Sequence, residues 1–101
     1  MINNAFLVKD ARAWVKRQQG PDEVISIRLD EECKDAAVVF QLFTAYEADP
    51  DYLGRILFDA QQYWIYDGEM LAVGEQEQVA KFIINYKEVL WKNLLITAWR
   101  R

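Results

Sequence analysis

Ala36-Ala-Val-Val-Phe-Gln-Leu-Phe-Thr44 is apolar almost without a break and rich in β-branched and aromatic side chains. A strand with one wet face alternates polar and apolar residues, whereas a continuous apolar run suits a strand covered on both faces. The run therefore predicts the centre of a sheet. Just upstream, Glu23 to Asp30 does alternate, with Ile25, Ile27 and Leu29 on one side and Ser26 and Arg28 on the other. The polar stretch Asp30-Glu-Glu-Cys-Lys-Asp35 joins the two as a turn. Downstream, the loop from Tyr46 to Gly54 carries Asp49-Pro50-Asp51. Leu53 to Asp59 and Gln62 to Tyr66 then read as a hairpin across Ala60 and Gln61, closed at Asp67-Gly68.

Outside these four strands the pattern changes period. From about Asn4 to Gln19, Leu7, Val8, Ala11, Trp14 and Val15 recur at three- and four-residue spacing, and Gly20-Pro21 follows. That spacing predicts an amphipathic helix with Lys9, Arg12 and Lys16 on its polar face. At the other end, Gly74 precedes Glu75-Gln-Glu-Gln, an acidic first turn suited to the positive end of a helix dipole. Neither Gly nor Pro interrupts the chain from there to Trp99, so one helix is expected to reach that far. The expectation is a single α+β domain over residues 1–101. Its four-stranded, mainly antiparallel sheet is flanked by an N-terminal helix and a long C-terminal helix, in the order α-β-β-β-β-α.

Composition narrows the chemistry. The chain has 101 residues, 52% hydrophobic and 28% charged, too apolar for a disordered segment. It holds no histidine, which removes most zinc sites, nucleophile triads and histidine pH switches. The lone Cys33 has no partner for a disulfide within the chain, and its acidic neighbours disfavour a thiolate. The longest uncharged stretch, Ala36 to Tyr46, is 11 residues, well short of the roughly 18 that a spanning helix needs. The first residues, Met1-Ile-Asn-Asn-Ala-Phe-Leu-Val8, lack the basic start of a signal peptide. A cytoplasmic location is the expectation.

The net charge of −4 conceals a division. Residues 1–21 hold four basic residues against one acid, residues 22–77 three against fourteen, and residues 78–101 five against one. The respective balances are +3, −11 and +4. An acidic middle repels phosphate backbones, which argues against nucleic acid as a partner. The same acids also suggest an alternative, an inhibitor that imitates a nucleic acid backbone to occupy a nucleic-acid-binding protein.

Two features of the expected C-terminal helix point to an interface. A helix of about 25 residues is roughly 37 Å long, against a diameter of about 33 Å for a globule of this size. Val79, Phe82, Ile83, Tyr86 and Leu90 make one narrow stripe, but beyond it Val89, Trp91, Leu94, Leu95, Ile96, Ala98 and Trp99 are apolar all round. Such an end is either folded under the sheet or covered by a partner, a second copy of the chain or another protein; contact with a membrane surface is a weaker reading. The expected contact residues are Trp91, Leu94, Leu95 and Trp99, rimmed by Lys92, Arg100 and Arg101.

Catalytic and metal motifs are mostly missing. Asp49-Pro-Asp51-Tyr-Leu53-Gly54 begins like a calcium loop but has Leu53 and Ala60 where ligands belong. Four separated glycines build no phosphate cradle. Convergence of Asp59, Asp67 and Glu69 near Tyr63-Trp64-Ile65-Tyr66 would supply carboxylates for acid–base work, although Trp64 and Tyr66 read more simply as cross-strand packing. No enzyme, cofactor or metal is expected. The sequence reads as a small binding protein, an adaptor, assembly factor or inhibitor, acting through the apolar C-terminal helix and the acidic sheet. The carboxylate enzyme is the second alternative.

Overall fold

In the computed structural model, residues 7–32 and 36–86 are described. Five strands are followed by one helix: β1 (Ala11–Val15), β2 (Glu23–Leu29), β3 (Val38–Thr44), β4 (Tyr52–Phe58), β5 (Trp64–Asp67) and α1 (Val73–Ile84). The strands lie in the order β1-β2-β3-β4-β5, and every neighbouring pair is antiparallel. The sheet is thus a five-stranded meander, each strand hydrogen-bonded to its neighbour in sequence.

The expected run Ala36–Thr44 is the central strand β3, and the other three expected strands correspond to β2, β4 and β5 within two residues at each end. The fifth strand corrects the count, because it lies inside the segment expected to be the N-terminal helix. Ala11-Arg-Ala-Trp-Val15 fits two periods at once. Positions 11, 14 and 15 suit a helix, while 11, 13 and 15 suit a strand. Pairing decides between them: Ala13 sits opposite Ile25 and Ala11 opposite Ile27, so Ala13 and Val15 extend the apolar face of β2. Both are buried, whereas Trp14, which the helical reading places in the core, is 71% exposed. Tertiary pairing overrides the helix propensity of the two alanines.

The C-terminal helix is also shorter than expected. It ends at Ile84, where Asn85 (φ −97°, ψ 11°) leaves helical geometry and donates its N–H to the Lys81 carbonyl. Twelve residues make it about 18 Å long, so α1 does not overhang the sheet. Residues 87–101, including the rest of the expected helix, lie outside the described residues, as does Cys33.

One face of the sheet carries the core. Ala13, Val15, Ile25, Ile27, Phe40, Leu42, Ile56 and Phe58 form a cluster with Val79, Ala80 and Ile83 of α1, and with Leu7 and Leu71 from the flanking segments. Phe40 and Phe58 meet edge to face at 6.2 Å. Trp64 and Tyr66 pack against the same cluster, as their cross-strand pairing with Phe58 and Ile56 requires. α1 lies against the β1 end of the sheet. There the Gln78 amide grips the end of β1 from both sides. Its Oε1 accepts the Lys16 N–H at 2.8 Å, and its Nε2 donates to the Lys16 carbonyl at 2.7 Å.

A bulge between β3 and β4 sets the far side. Leu42 pairs with Gly54 and Phe43 with Tyr52, leaving Leu53 as the extra residue. Gly54 has φ +110°, a conformation that side-chain-bearing residues rarely adopt. The Tyr66 ring fills the space its missing Cβ leaves: a Cβ there would lie 2.8 Å from the Tyr66 hydroxyl oxygen. Gly68 closes on the ring from the other side, where a Cβ would come within 2.6 Å of that oxygen. The hydroxyl donates to the Leu53 carbonyl and accepts the N–H groups of Met70 and Leu71, both at 3.2 Å. One phenol therefore ties β5, the bulge of β4 and the approach to α1 together.

Candidate functional site: the open face of the sheet

The second face of the sheet is not covered by α1; its row Val39–Leu57 is buried, and the register determines what the two rows beside it display. Arg12 lies opposite Ser26, Ser26 opposite Phe43 and Phe43 opposite Tyr52, so these four form one row across four strands. Arg28, Gln41, Arg55 and Asp67 form the next row. Trp14 stands beyond Arg12 on β1, opposite Val24. Alternation puts all of these side chains on the side away from the core.

The row is ordered by contacts among its own members. The Arg28 guanidinium lies over the Phe43 ring at 4.4 Å, and Phe43 leans on Tyr52 with 5.3 Å between ring centroids. The Tyr52 hydroxyl donates to Gln41 Oε1 at 2.5 Å, and Gln41 Nε2 donates to Asp30 Oδ2 at 2.8 Å. Arg12 lies over the ring of Tyr46 at 4.9 Å. Cation–π pairs of this kind hold a guanidinium in a defined plane without neutralising it. The Tyr52 hydroxyl is pushed above the usual phenol range, first by its partial burial, with Arg55 pulling the other way and Asp67 adding to the rise.

Acidic side chains sit mainly at the two ends of this face. Asp22, Glu47, Asp49 and Asp51 lie at the end where β1 turns into β2 and β3 into β4. Asp10, Asp30, Glu31 and Glu32 lie at the opposite end, near the β2–β3 connection. Several have structural duties: Trp14 Nε1 donates to Asp22 at 3.0 Å, Leu29 N–H to Asp10 at 2.7 Å, and Glu32 N–H to Asp30 at 3.1 Å. Between the ends the face carries Arg12, Arg28 and Arg55, the last paired with Asp67 at 2.9 Å. The acidic middle of the sequence is therefore an acidic pair of rims around a more basic centre.

The carboxylate group considered from the sequence does not converge. Asp59 and Asp67 flank opposite ends of β5, one in the β4–β5 turn and the other beside the bulge end of β4. Asp59 Oδ1 shapes its turn by accepting the N–H groups of Gln61 and Tyr63 at 2.9 and 3.0 Å. The calcium-like stretch is divided as well, since Leu53 and Gly54 belong to β4 and the Asp51 N–H donates to Thr44 Oγ1 at 2.9 Å. Among the described residues no group of three acidic or cysteine side chains could hold a metal, and no helix is long and apolar enough to cross a membrane. The expected helical face of Lys9, Arg12 and Lys16 is dispersed, with Lys9 near Tyr86 and the Lys16 backbone held by Gln78. Trp91, Leu94, Leu95, Trp99, Lys92, Arg100 and Arg101 all lie outside the described residues.

No family model, curated protein or solved structure matches the chain. Sequence reading missed the open face because Arg12 and Trp14 join it only if β1 is a strand. The signal was nonetheless present in the alternation of small or aliphatic residues (Ala11, Ala13, Val15) with Arg12 and Trp14, and of Ile25 and Ile27 with Ser26 and Arg28.

Proposed function

We propose that the chain is a small macromolecule-binding protein, an adaptor, assembly factor or inhibitor rather than an enzyme, and that its open sheet face receives another protein. One observation carries this reading: Trp14, Tyr46 and Tyr52 are 71%, 77% and 51% exposed on the side that also displays Arg12 and Arg28. Trp, Tyr and Arg are the residues most enriched among those that dominate binding energy at protein interfaces. Large rigid rings cost little side-chain entropy when a partner orders them, and the cation–π contacts have already ordered the arginines. The acidic rims favour a partner that is not a long polyanion, because such a chain would have to run across one rim or the other.

The apolar segment with Trp91, Leu94, Leu95 and Trp99, rimmed by Lys92, Arg100 and Arg101, is the second contact surface of the proposal. Its partner is another protein or a second copy of this chain. The test is crosslinking with mass spectrometry in the native cell, comparing wild type with Trp14→Ala, Tyr52→Ala and the helix-surface control Val73→Ala. Loss of the same crosslinked protein in the two face variants, with retention in V73A, supports the reading. Equal crosslinking in all four overturns it for the open face. Deleting residues 92–101 and measuring mass by light scattering asks the corresponding question of the C-terminal segment.

A further inference from the structure

We infer that the hollow between Arg12 and Arg28 is a binding site for a single phosphoryl dianion carried by the partner protein, an inference that rests on the open face being the docking surface. The hollow, about 380 Å³, is lined by Asp10, Ala11, Arg12, Ser26 and Arg28. Ser26 lies directly opposite Arg12 and two residues before Arg28 on the same strand, and it lines the hollow with both. Each guanidinium is laid on an aromatic ring, Arg12 on Tyr46 and Arg28 on Phe43. Neither has a carboxylate within ion-pair distance among the described residues, whereas Arg17 is paired with Glu23 and Glu75, and Arg55 with Asp67.

These features select the ligand class. Two guanidinium forks, held to no carboxylate by an ion pair though Asp10 shares the lining, suit the charge of roughly −1.5 to −2 on a phosphomonoester at pH 7, and their planar donors suit its equatorial oxygens. Ser26 supplies a further donor. A ring-stacked guanidinium keeps its edge free, so its N–H groups can point at an oxyanion while its flat side stays on the ring. The acid lining the hollow, Asp10, already accepts the Leu29 N–H at 2.7 Å and stands at the rim. With Asp30, Glu31 and Glu32 in the adjoining hollow, it favours one compact anion over a polyphosphate track. Trp14, next along β1 on this face, is placed to meet residues flanking the phosphorylated position.

The test is an NMR titration of the whole chain with N-acetyl-phosphoserine amide, whose only charge is the phosphoryl group. Unphosphorylated N-acetyl-serine amide, N-acetyl-aspartate amide and a short oligothymidylate serve as comparisons. The phosphoserine probe is expected to shift the Arg12 and Arg28 side-chain Nε–H signals and the Ser26 amide. Arg12→Gln and Arg28→Gln, both at solvent-accessible positions, should each weaken it on the order of tenfold. Three results overturn the inference: no shift at these groups, undiminished binding in both variants, or aspartate binding as well as phosphoserine. Oligothymidylate affinity that exceeds the probe's and rises with length overturns it too, by making the face a nucleic acid track. If phosphoserine fails while W14A still abolishes crosslinking, the docking surface stands and only the phosphoryl assignment falls.

Discussion

Replacing Tyr66 by Phe removes one oxygen and tests how the far half of the sheet is held. The hydroxyl donates to the Leu53 carbonyl and accepts two N–H groups, from Met70 and Leu71. The lost donor bond costs about 1 kcal/mol net, the usual value for an exchange with water. Met70 is exposed and its N–H turns to solvent at little cost. Leu71 is 8% exposed, so its N–H is stranded and adds about 1–2 kcal/mol. The sum, about 2–3 kcal/mol, corresponds to a fall in Tm of roughly 10–20 °C for a domain of this size. Because the ring remains between Gly54 and Gly68, packing changes little and the loss belongs to the oxygen. Urea unfolding followed by tryptophan fluorescence measures the energy, and amide exchange at Leu71 should accelerate more than exchange in β2. A change below about 0.5 kcal/mol, or unaltered protection at Leu71, refutes the claim that this phenol anchors the bulge and the approach to α1.

Further expectations follow from the same geometry. Gly54→Ala should cost more than 2 kcal/mol, since it combines strain at φ +110° with contacts of 2.8–2.9 Å to Tyr66 and the Asp67 carbonyl; an unchanged urea midpoint would contradict it. Trp14→Ala should alter stability by less than about 1 kcal/mol, losing only the exposed bond to Asp22, whereas a core tryptophan on a helix would cost 3–5 kcal/mol. Gln78→Ala should lose about 1–2 kcal/mol, with faster exchange of the Lys16 amide as its local sign. The raised Tyr52 phenol, which folded protein keeps protonated beyond the usual range, contributes stability that is fully present below the ordinary tyrosine pKa near 10 and is lost as pH rises through the folded value. Absorbance titration should show a component ionising above the ordinary phenol range, and Tyr52→Phe should remove it.

How far the sequence speaks depends on whether local signals were unique. The strands β2 to β5 were legible because each has one period and a bounding turn, such as Asp67-Gly68 after β5. Trp64 and Tyr66, whose spacing predicts cross-strand packing, do pack against the core. The stretch from Ala11 to Val15 satisfied two periods equally, and only Ile25 and Ile27 on the neighbouring strand chose between them. Asn85 carried no helix-stop signal strong enough to outweigh the apolar residues beyond it. The open face was hidden for a related reason. Arg12, Ser26, Phe43 and Tyr52 come from four strands, and only the register places them in a row.

The grip of Gln78 on Lys16 bears on how this chain becomes a single cooperative unit. A meander can grow hairpin by hairpin, and nothing in its order of strands obliges the first to melt with the last. Residues 16 and 78 are separated by 62 positions in sequence, yet one carboxamide bridges them with two hydrogen bonds. Through it the last element of the described chain reads the register of the first. A one-residue slip of β1 would turn Ala13 and Val15 outward and also offer Gln78 the wrong backbone groups. The clasp therefore checks the register of β1 against α1, and it couples fraying at one edge of the sheet to undocking of the helix.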